Sequence, residues 1–278
     1  MRVYSRRLLF PAATLLLVLA VAKGGAAQSF TASHAKVSLV AENNSLQAGQ
    51  NAWVGVLFDI EKGWHIYWVN PGDAGEAPRI QWHLPAGFQA GEIRWPAPER
   101  LPASTVIDYG YEGKVLLPVS LRVPAGYRPA SPVALTADVR YVICRDVCIP
   151  AAALAKLSIP SANAGGAADR ELFHATFDNA PKAWPAGWKA QASENGGSFV
   201  LSLETGTSES KAVFFPLEQD QIDNDAMQGL TPNARGVQIK LKKSDQLKHP
   251  IAVLKGVVVL GPGPGRAFEV SAPLTAKK

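Results

Sequence analysis

The chain contains two cysteines, Cys144 and Cys148, and their close spacing constrains the local fold more than any other feature. Along an extended strand their Cα atoms would lie about 13 Å apart, whereas a disulfide needs a Cα separation of about 4.4–6.8 Å. The segment must therefore turn between them if the two sulfurs are to be joined. The β-branched residues Val142-Ile143 before the turn, and Val147 and Ile149 after it, favour a strand–turn–strand hairpin over a helical turn.

Three chemical roles compete for this pair. A structural disulfide across so short a loop removes little chain entropy, roughly 2 kcal/mol. A structural zinc site usually has four Cys or His ligands, and no histidine lies near the pair in sequence, whereas Cu(I) needs only soft sulfur ligands. The third role is a redox dithiol that cycles between thiol and disulfide. The residue types favour the redox role and leave the other two open.

The N-terminal segment has the three parts of a secretory signal peptide. Three arginines lie within residues 1–7, residues 8–22 are almost wholly apolar, and Gly25-Ala26-Ala27 supplies small residues before a cleavage site. About 15 apolar residues are too few for an ordinary membrane span. We therefore expect residues 1–27 to be removed on export, leaving a soluble periplasmic protein without a membrane span.

Removal of the signal peptide also changes the charge balance. The full chain has 28 basic and 23 acidic residues, and four of the basic residues lie in residues 1–27, which leaves 24 against 23. Nothing in this balance indicates a basic surface for nucleic acid. The compartment is oxidising, so we expect the two cysteines to form a disulfide unless a reductant acts on them.

Short alternating apolar runs, separated by Gly and Pro, predict an all-β chain with two tandem immunoglobulin-like β-sandwich domains after the signal peptide. The predicted cysteine-bearing domain covers residues 28–160, a linker covers 161–169, and a smaller β-sandwich covers 170–278. One short helix is predicted for Arg170–Asn179, with Asp169 as its cap. The clearest strand patterns are residues 35–41, 52–60, 114–123 and 133–143 in the first domain, and 199–204, 212–217, 236–242, 251–260 and 267–272 in the second.

An aromatic tract rich in Pro and Gly interrupts the strands of the first domain. Its tryptophans are Trp64, Trp68, Trp82 and Trp95. Core or loop packing is the simplest interpretation of these rings, and an aromatic wall beside the cysteines is the alternative. Within the tract, Asn70-Pro71-Gly72-Asp73 predicts a turn. His65 and His83 are interpreted as ordinary half-buried polar residues, because neither has a Ser or Asp arrangement that would suggest a hydrolase.

Five motifs in order make the chain similar to the N-terminal periplasmic domain family of DsbD-type thiol:disulfide interchange proteins, a disulfide bond corrector family, and especially to its ScsB-like, copper-sensitivity branch. The motifs are Gly63-Trp64-His65-Ile66-Tyr67-Trp68, Asn70-Pro71-Gly72-Asp73, Trp95-Pro96-Ala97-Pro98, Tyr109-Gly110-Tyr111-Glu112-Gly113 and Cys144-Arg145-Asp146-Val147-Cys148-Ile149-Pro150. The similarity covers roughly residues 33–160, and a weaker likeness continues in Phe214-Phe215-Pro216 and in residues 222–228.

This resemblance implies an immunoglobulin-like domain whose Cys144–Cys148 pair relays electrons or reduces disulfides, without a cofactor or a metal. The implied partners are a membrane electron-transfer protein or a thioredoxin-like donor, and oxidised exported proteins as clients. In the family the second cysteine forms the mixed disulfide, which assigns that role to Cys148 and the resolving role to Cys144. Relatives also cap the pair with an aromatic loop, for which Trp68, Tyr109 and Tyr111 are the candidates.

Several features leave the function open at this stage. The chain has no electron-conducting membrane domain or thioredoxin-like domain of the kind found in long family members, and its cysteine spacing is shorter than in the best-known one. Arg140 and Arg145 would favour a cysteine thiolate and Asp146 would oppose it.

The resemblance connects the chain with cytochrome c biogenesis and copper tolerance, so an envelope copper-binding protein that uses the same two thiolates is the first alternative. A Trp-rich sandwich that binds glycans or proteins, with an inert disulfide, is the second.

Overall fold

The computed structural model describes residues 30–32, 34–103, 106–128, 132–160, 168–261 and 265–275. The signal peptide predicted for residues 1–27 and most of the linker predicted for 161–169 lie outside these residues. Across the described residues the regular secondary structure is β-strand, apart from one helix, α1 (Arg170–Asn179). That helix is too short to cross a membrane, and no membrane-spanning helix occurs in these ranges. The all-β prediction is confirmed.

The N-terminal unit, residues 30–160, consists of two antiparallel sheets. Its strands are β1 (Phe30–Ala32), β2 (Ala35–Ala41), β3 (Asn51–Ile60), β4 (His65–Gly72), β5 (Arg79–His83), β6 (Gln89–Ile93), β7 (Glu99–Ala103), β8 (Val106–Glu112), β9 (Lys114–Arg122), β10 (Val133–Cys144) and β11 (Cys148–Ile159). One sheet has the order β1-β2-β3-β9-β6, and the other has the order β11-β10-β4-β8-β7, with β5 also paired to β10.

The two sheets of the N-terminal unit enclose one apolar core. Side chains on successive strand residues point to opposite faces, and buried residues alternate with more exposed ones through most of β10. Phe58 of β3 meets Tyr141 of β10 edge to face across the core, with their ring centroids 5.1 Å apart. Each large apolar side chain buried in this way stabilises the fold by about 1.5–3 kcal/mol. The immunoglobulin-like sandwich predicted for this part of the chain is thus what the structure contains.

The C-terminal unit contains a single seven-stranded sheet. Its strands are β12 (Lys189–Asn195), β13 (Ser198–Glu204), β14 (Ala212–Pro216), β15 (Gly229–Asn233), β16 (Gly236–Lys242), β17 (Val253–Leu260) and β18 (Ala267–Thr275), in the order β14-β17-β18-β12-β13-β16-β15. β12 and β18 pair in parallel. Phe199 and Ile239 from one end of this sheet share a buried cluster with Phe214 and Val258 from the other end. The sheet therefore closes over its own core.

The two units share apolar packing. Phe215 of β14 belongs to the core of the N-terminal unit, where its ring lies 5.2 Å from the ring of Tyr109 and 6.3 Å from that of Trp68, measured between centroids. Helix α1 also packs on the N-terminal unit, because Phe173 joins Val40 and Leu116 in a small buried cluster. A division into two tandem domains at residues 161–169 remains a prediction, and the described residues on either side of it are closely packed.

Two local predictions differ from the structure. Asn70 and Gly72 lie at the end of β4 rather than in a free turn: the pairing of β4 with β8 shifts between Tyr67 and Gly72, and Gly72 has a positive φ of 87°. The glycine therefore does supply the unusual backbone angle, but within a β-bulge. Asp169 does precede α1, but its side chain makes no capping hydrogen bond.

Candidate functional site

The two cysteines lie at the tip of the β10–β11 hairpin. The strands pair in register from Val133 opposite Ile159 to Cys144 opposite Cys148, and the two cysteines form a disulfide. The predicted strand–turn–strand geometry is therefore confirmed. The two sulfur-bearing residues differ in environment, since Cys144 is only 2% exposed whereas Cys148 is exposed. An incoming thiolate can reach Cys148 much more readily than Cys144.

Three buried polar side chains lie beneath the hairpin. Strand β4 runs beside β10, with His65 directly opposite Cys144, so that His65 and Tyr67 reach the same face of the sheet. The hydroxyl oxygen of Tyr67 lies 3.5 Å from Sγ of Cys148 and 3.4 Å from Oδ2 of Asp108. Nε2 of His65 lies 3.1 Å from the same carboxylate oxygen. A connected group of His65, Asp108 and Tyr67 therefore ends at the exposed sulfur.

The environment of Tyr67 keeps its hydroxyl protonated. Burial raises the pKa of Tyr67 far above its usual range, and the charge of Asp108 and the hydrogen bond to it add to the effect. The other oxygen of Asp108, Oδ1, accepts a hydrogen bond of 3.2 Å from the backbone N–H of Ala74. Buried polar groups are expensive to leave unpaired, and here the carboxylate has donors on both oxygens. Tyr67 is thus available as a hydrogen-bond donor at neutral pH.

The turn between the cysteines is held from outside by a stack of side chains. The guanidinium of Arg145 lies over the ring of Trp64, 5.1 Å from its centroid, and the ring of His34 stacks with Trp64 at a centroid distance of 3.8 Å. Nε of Arg145 also donates to Asp146 at 2.9 Å. The two opposite charges in the loop between the cysteines are therefore paired with each other. An exposed ion pair of this kind contributes about 0–1 kcal/mol to stability.

The aromatic residues predicted to cap the disulfide have their observed contacts elsewhere. Trp68 and Tyr109 are fully buried and pack on Phe215, and the hydroxyl of Tyr111 donates to the carbonyl of Pro96 at 2.8 Å. Core packing is thus confirmed as the interpretation of Trp68. The capping role stays a prediction for all three residues, and the aromatic side chain seen against the exposed sulfur is Tyr67.

The interpretation of His65 as an ordinary half-buried residue is wrong. His65 is 4% exposed, lies directly across from Cys144 in the sheet and pairs with buried Asp108. His83, by contrast, is exposed and contacts Asp138 at 2.7 Å on the outer surface. The alternation His65-x-Tyr67 in the sequence was a usable signal, because it places both side chains on one face of a strand. Asp108 offered no such signal, since it is 43 residues from His65 and only the β4–β8 pairing brings it close.

The described residues contain no cluster of three or more His, Cys, Asp or Glu side chains arranged to hold a metal ion. Any soft metal at this site would therefore have the two sulfurs as its main ligands, and would need them reduced. In the form observed here both sulfurs are tied up in the disulfide.

Comparison with known proteins agrees with the motif analysis. Residues 36–158 match the family model described as thiol:disulfide interchange protein DsbD, N-terminal, which confirms the predicted resemblance for this segment. The crystal structure of the N-terminal periplasmic domain of ScsB from Proteus mirabilis has a similar fold, with a TM-score of 0.66 and 18% sequence identity, over 87% of this chain and 93% of that one. The likeness extends over both units described here. No curated protein matches the chain.

Proposed function

We propose, from the match of residues 36–158 to the N-terminal segment of thiol:disulfide interchange proteins, that this chain is an exported, periplasmic thiol:disulfide interchange protein. The observation that carries the proposal is the unequal exposure of the two joined cysteine residues, with Cys148 exposed and Cys144 2% exposed. A cycling dithiol needs one sulfur that meets partners and a second that resolves the mixed disulfide. A purely structural disulfide has no need of this asymmetry.

The proposed reaction transfers two electrons by thiol–disulfide exchange. In the reduced protein the thiolate of Cys148 attacks a disulfide of an exported client, forms a mixed disulfide and releases one client sulfur as a thiolate. Cys144 then loses its proton and attacks Sγ of Cys148, which releases the second client sulfur and forms the Cys144–Cys148 disulfide. The client is reduced and this protein oxidised. A thioredoxin-like dithiol, or a dithiol of a membrane electron-transfer protein, reverses the change in a second exchange.

The buried group beneath the hairpin supports this chemistry. Tyr67 has one hydroxyl proton and two neighbouring acceptors, Asp108 and the sulfur of Cys148. A disulfide sulfur is a weak acceptor. In the oxidised protein the Tyr67 hydroxyl therefore donates its hydrogen bond to the carboxylate of Asp108. A thiolate accepts more strongly, and a hydrogen bond to the charged form favours that form. In our proposal Tyr67 therefore turns toward Cys148 on reduction and stabilises its thiolate.

The redox potential of the purified protein tests this function. The protein is equilibrated in glutathione buffers of graded composition, and the fraction of free thiol is measured by alkylation and mass spectrometry. A cycling pair is expected to equilibrate within the glutathione range and to exchange with a thioredoxin-like protein. A potential below about −300 mV together with no exchange would identify a structural disulfide. Fractionation of cells that express the full chain tests the periplasmic location and removal of residues 1–27.

Copper binding is the alternative that uses the same two sulfurs. Two adjacent soft ligands suit Cu(I), and they are available only after reduction. Anaerobic titration of the reduced protein with Cu(I), with Cys144→Ser as the matched control, separates the two functions. Stoichiometric binding that disappears in Cys144→Ser, in a protein that does not exchange disulfides, would favour the copper function. Disulfide exchange that is unaffected by copper chelators would favour ours.

A further inference from the structure

Besides the packing of Phe215, the C-terminal unit contacts the strands of the redox site through residues 217–228, here called the docking loop. Asn224 in this loop makes three hydrogen bonds to the N-terminal unit. Its Nδ2 donates to Oδ1 of Asp73 at 2.8 Å, its Oδ1 accepts from the hydroxyl of Tyr109 at 2.7 Å, and its backbone carbonyl accepts from Arg100. A single side chain of the C-terminal unit thus holds both the residue after β4 and a residue in the middle of β8.

A second anchor lies where the end of β14 leads into the docking loop. Asn70, which is 2% exposed, donates from Nδ2 to the backbone carbonyls of Pro216 and Glu218, at 2.7 and 3.2 Å. Its own Oδ1 accepts from the backbone N–H of Gly72 at 3.0 Å. The β-bulge at the end of β4 is therefore held on one side by its own turn and on the other by the C-terminal unit.

These anchors continue by hydrogen bonds to the exposed sulfur. Oδ2 of Asp73 accepts from the backbone N–H of Ile107 at 2.8 Å, and the N–H of Asp73 donates to the carbonyl of Ile107 at 3.1 Å. One residue further along each segment, the backbone N–H of Ala74 donates to Oδ1 of Asp108 at 3.2 Å. Asp108 in turn holds Tyr67, and Tyr67 contacts Cys148. The path from Asn224 to the sulfur is continuous.

We propose that Asn224 is a positioning residue through which the C-terminal unit sets the reactivity of Cys148. By fixing Asp73 and Tyr109 on the two sides of the β4–β8 pairing, Asn224 holds the Asp108 carboxylate, and with it the Tyr67 hydroxyl, in place at the sulfur. The inference depends on the proposed thiol–disulfide exchange. It gives the C-terminal unit, which has no cysteine, a role in the chemistry of the N-terminal unit.

The test compares two asparagines of the C-terminal unit in the full chain. Asn224→Ala removes two of the three docking hydrogen bonds, whereas Asn233→Ala, the control, removes an exposed side chain whose Oδ1 accepts only from the nearby backbone of Arg235. The rate of reaction of the reduced protein with a small aromatic disulfide is measured from pH 5 to 10. Its pH profile reports the apparent pKa of the attacking thiol.

We expect Asn224→Ala to slow the reaction at neutral pH by about two- to thirtyfold, the range of couplings carried by packed networks, and to raise the apparent pKa of the thiol. Asn233→Ala should leave the profile unchanged. If Asn224→Ala does not fold, Tyr109→Phe removes only a hydroxyl from the same contact and should shift the profile in the same direction. The inference would be overturned if these variants were less stable but had the same pH profile as the unaltered protein.

The outcome also separates this inference from the proposed function. If the unaltered protein does not exchange disulfides with any thioredoxin-like partner, the proposed function fails. If the unaltered protein exchanges normally and both Asn224→Ala and Tyr109→Phe retain its pH profile, the function stands and only the positioning role of Asn224 is wrong.

Discussion

The hydroxyl oxygen of Tyr67 lies 3.5 Å from Sγ of Cys148, across the sheet from the hairpin that carries the disulfide. Through this contact the connected group of His65, Asp108 and Tyr67 reaches Cys148. The same hydroxyl lies 3.4 Å from the Asp108 carboxylate, so one proton is shared between two acceptors whose relative strength changes with the redox state. In our proposal the reactivity of the disulfide therefore depends on the packing of β4 and β8 as well as on the hairpin.

The first prediction concerns this hydroxyl. Tyr67→Phe keeps the ring in the core and removes the donor, so we expect the pKa of the Cys148 thiol to rise and exchange at neutral pH to slow by about two- to tenfold, the usual worth of one hydrogen bond. Tyr127→Phe is the matched control, because the buried hydroxyl of Tyr127 has no hydrogen-bond partner. Equal exchange rates in the two variants would show that the Tyr67 hydroxyl does not act on the sulfur.

The second prediction concerns the two sulfurs. Cys144→Ser leaves the exposed Cys148 free and removes the thiol that would resolve a mixed disulfide, so this variant should accumulate a covalent complex with a thioredoxin-like partner. Cys148→Ser leaves only the buried Cys144, which is 2% exposed, and should accumulate much less. Non-reducing gels of the two mixtures measure the difference. Stronger trapping by Cys148→Ser would reverse the assigned roles of the two cysteines.

The third prediction uses a glycine that packs on Tyr67. Gly75 has a positive φ of 74°, and a Cβ built at this position would overlap the ring of Tyr67. We expect Gly75→Ala to lower the free energy of unfolding by about 1–3 kcal/mol, from overpacking and backbone strain. Because the ring must move to make room, the exchange rate should fall as well.

Gly126→Ala is the control, since no atom lies within 4 Å of an added Cβ there and its φ is not positive. Denaturant titration and stopped-flow exchange measure the two effects; a stability loss without a change in rate would contradict the link between Tyr67 and the sulfur.

The fourth prediction concerns alkaline pH. Burial raises the pKa of Tyr141 to about 12 and also raises the pKa values of Tyr67, Tyr109 and Tyr111 well above their usual value. Below pH about 10 these groups are neutral in both the folded and the unfolded protein. Above it the unfolded chain loses their protons first, so the free energy of unfolding should fall as the pH rises from about 10 through 12. Tyrosinate absorbance should therefore increase together with loss of the fold, and titration of all the tyrosines near pH 10 in a folded protein would contradict this.

The tip of the hairpin was predictable from sequence because the interactions that define it are local. Three residues separate the cysteines, the flanking residues are strand formers, and the pairing of Cys144 with Cys148 sets the register of both strands. Most of the longer strands were predictable for the same reason. The prediction for residues 35–41 coincides with β2, and that for residues 236–242 coincides with β16. Regular alternation of apolar residues was sufficient in each case.

The remainder of the site depends on pairing between distant segments. Strands β5, β6 and β7 have only five residues each and lie among prolines and glycines, so their local pattern is weak and their partners determine them. The contact of His65 with Asp108 requires the bulged register of β4 and β8. Asn224 is 151 residues from Asp73, and no spacing in the sequence connects them. The sequence thus located the cysteine pair, but the structure was needed to find the side chains that contact it.

The last prediction concerns the junction of the two units. Cleavage by a protease within the linker predicted for residues 161–169 is expected, as at many segments between domains. The pieces should nevertheless stay together, because Phe215 is 3% exposed and packs on Tyr109, and because Asn70 and Asn224 carry hydrogen bonds across the junction.

Size-exclusion chromatography of the cleaved protein without denaturant measures this association. A single peak that contains both pieces and still exchanges disulfides is the expected result. Phe215→Ala should weaken the junction by about 3–5 kcal/mol, the cost of emptying a buried aromatic site, and should allow the cleaved pieces to separate. Phe199→Ala is the matched control, because Phe199 is equally buried but lies within the core of the C-terminal unit. Separation of the pieces in the unaltered protein would mean that the two units are independent domains, and the path from Asn224 to Cys148 would then lose its physical basis.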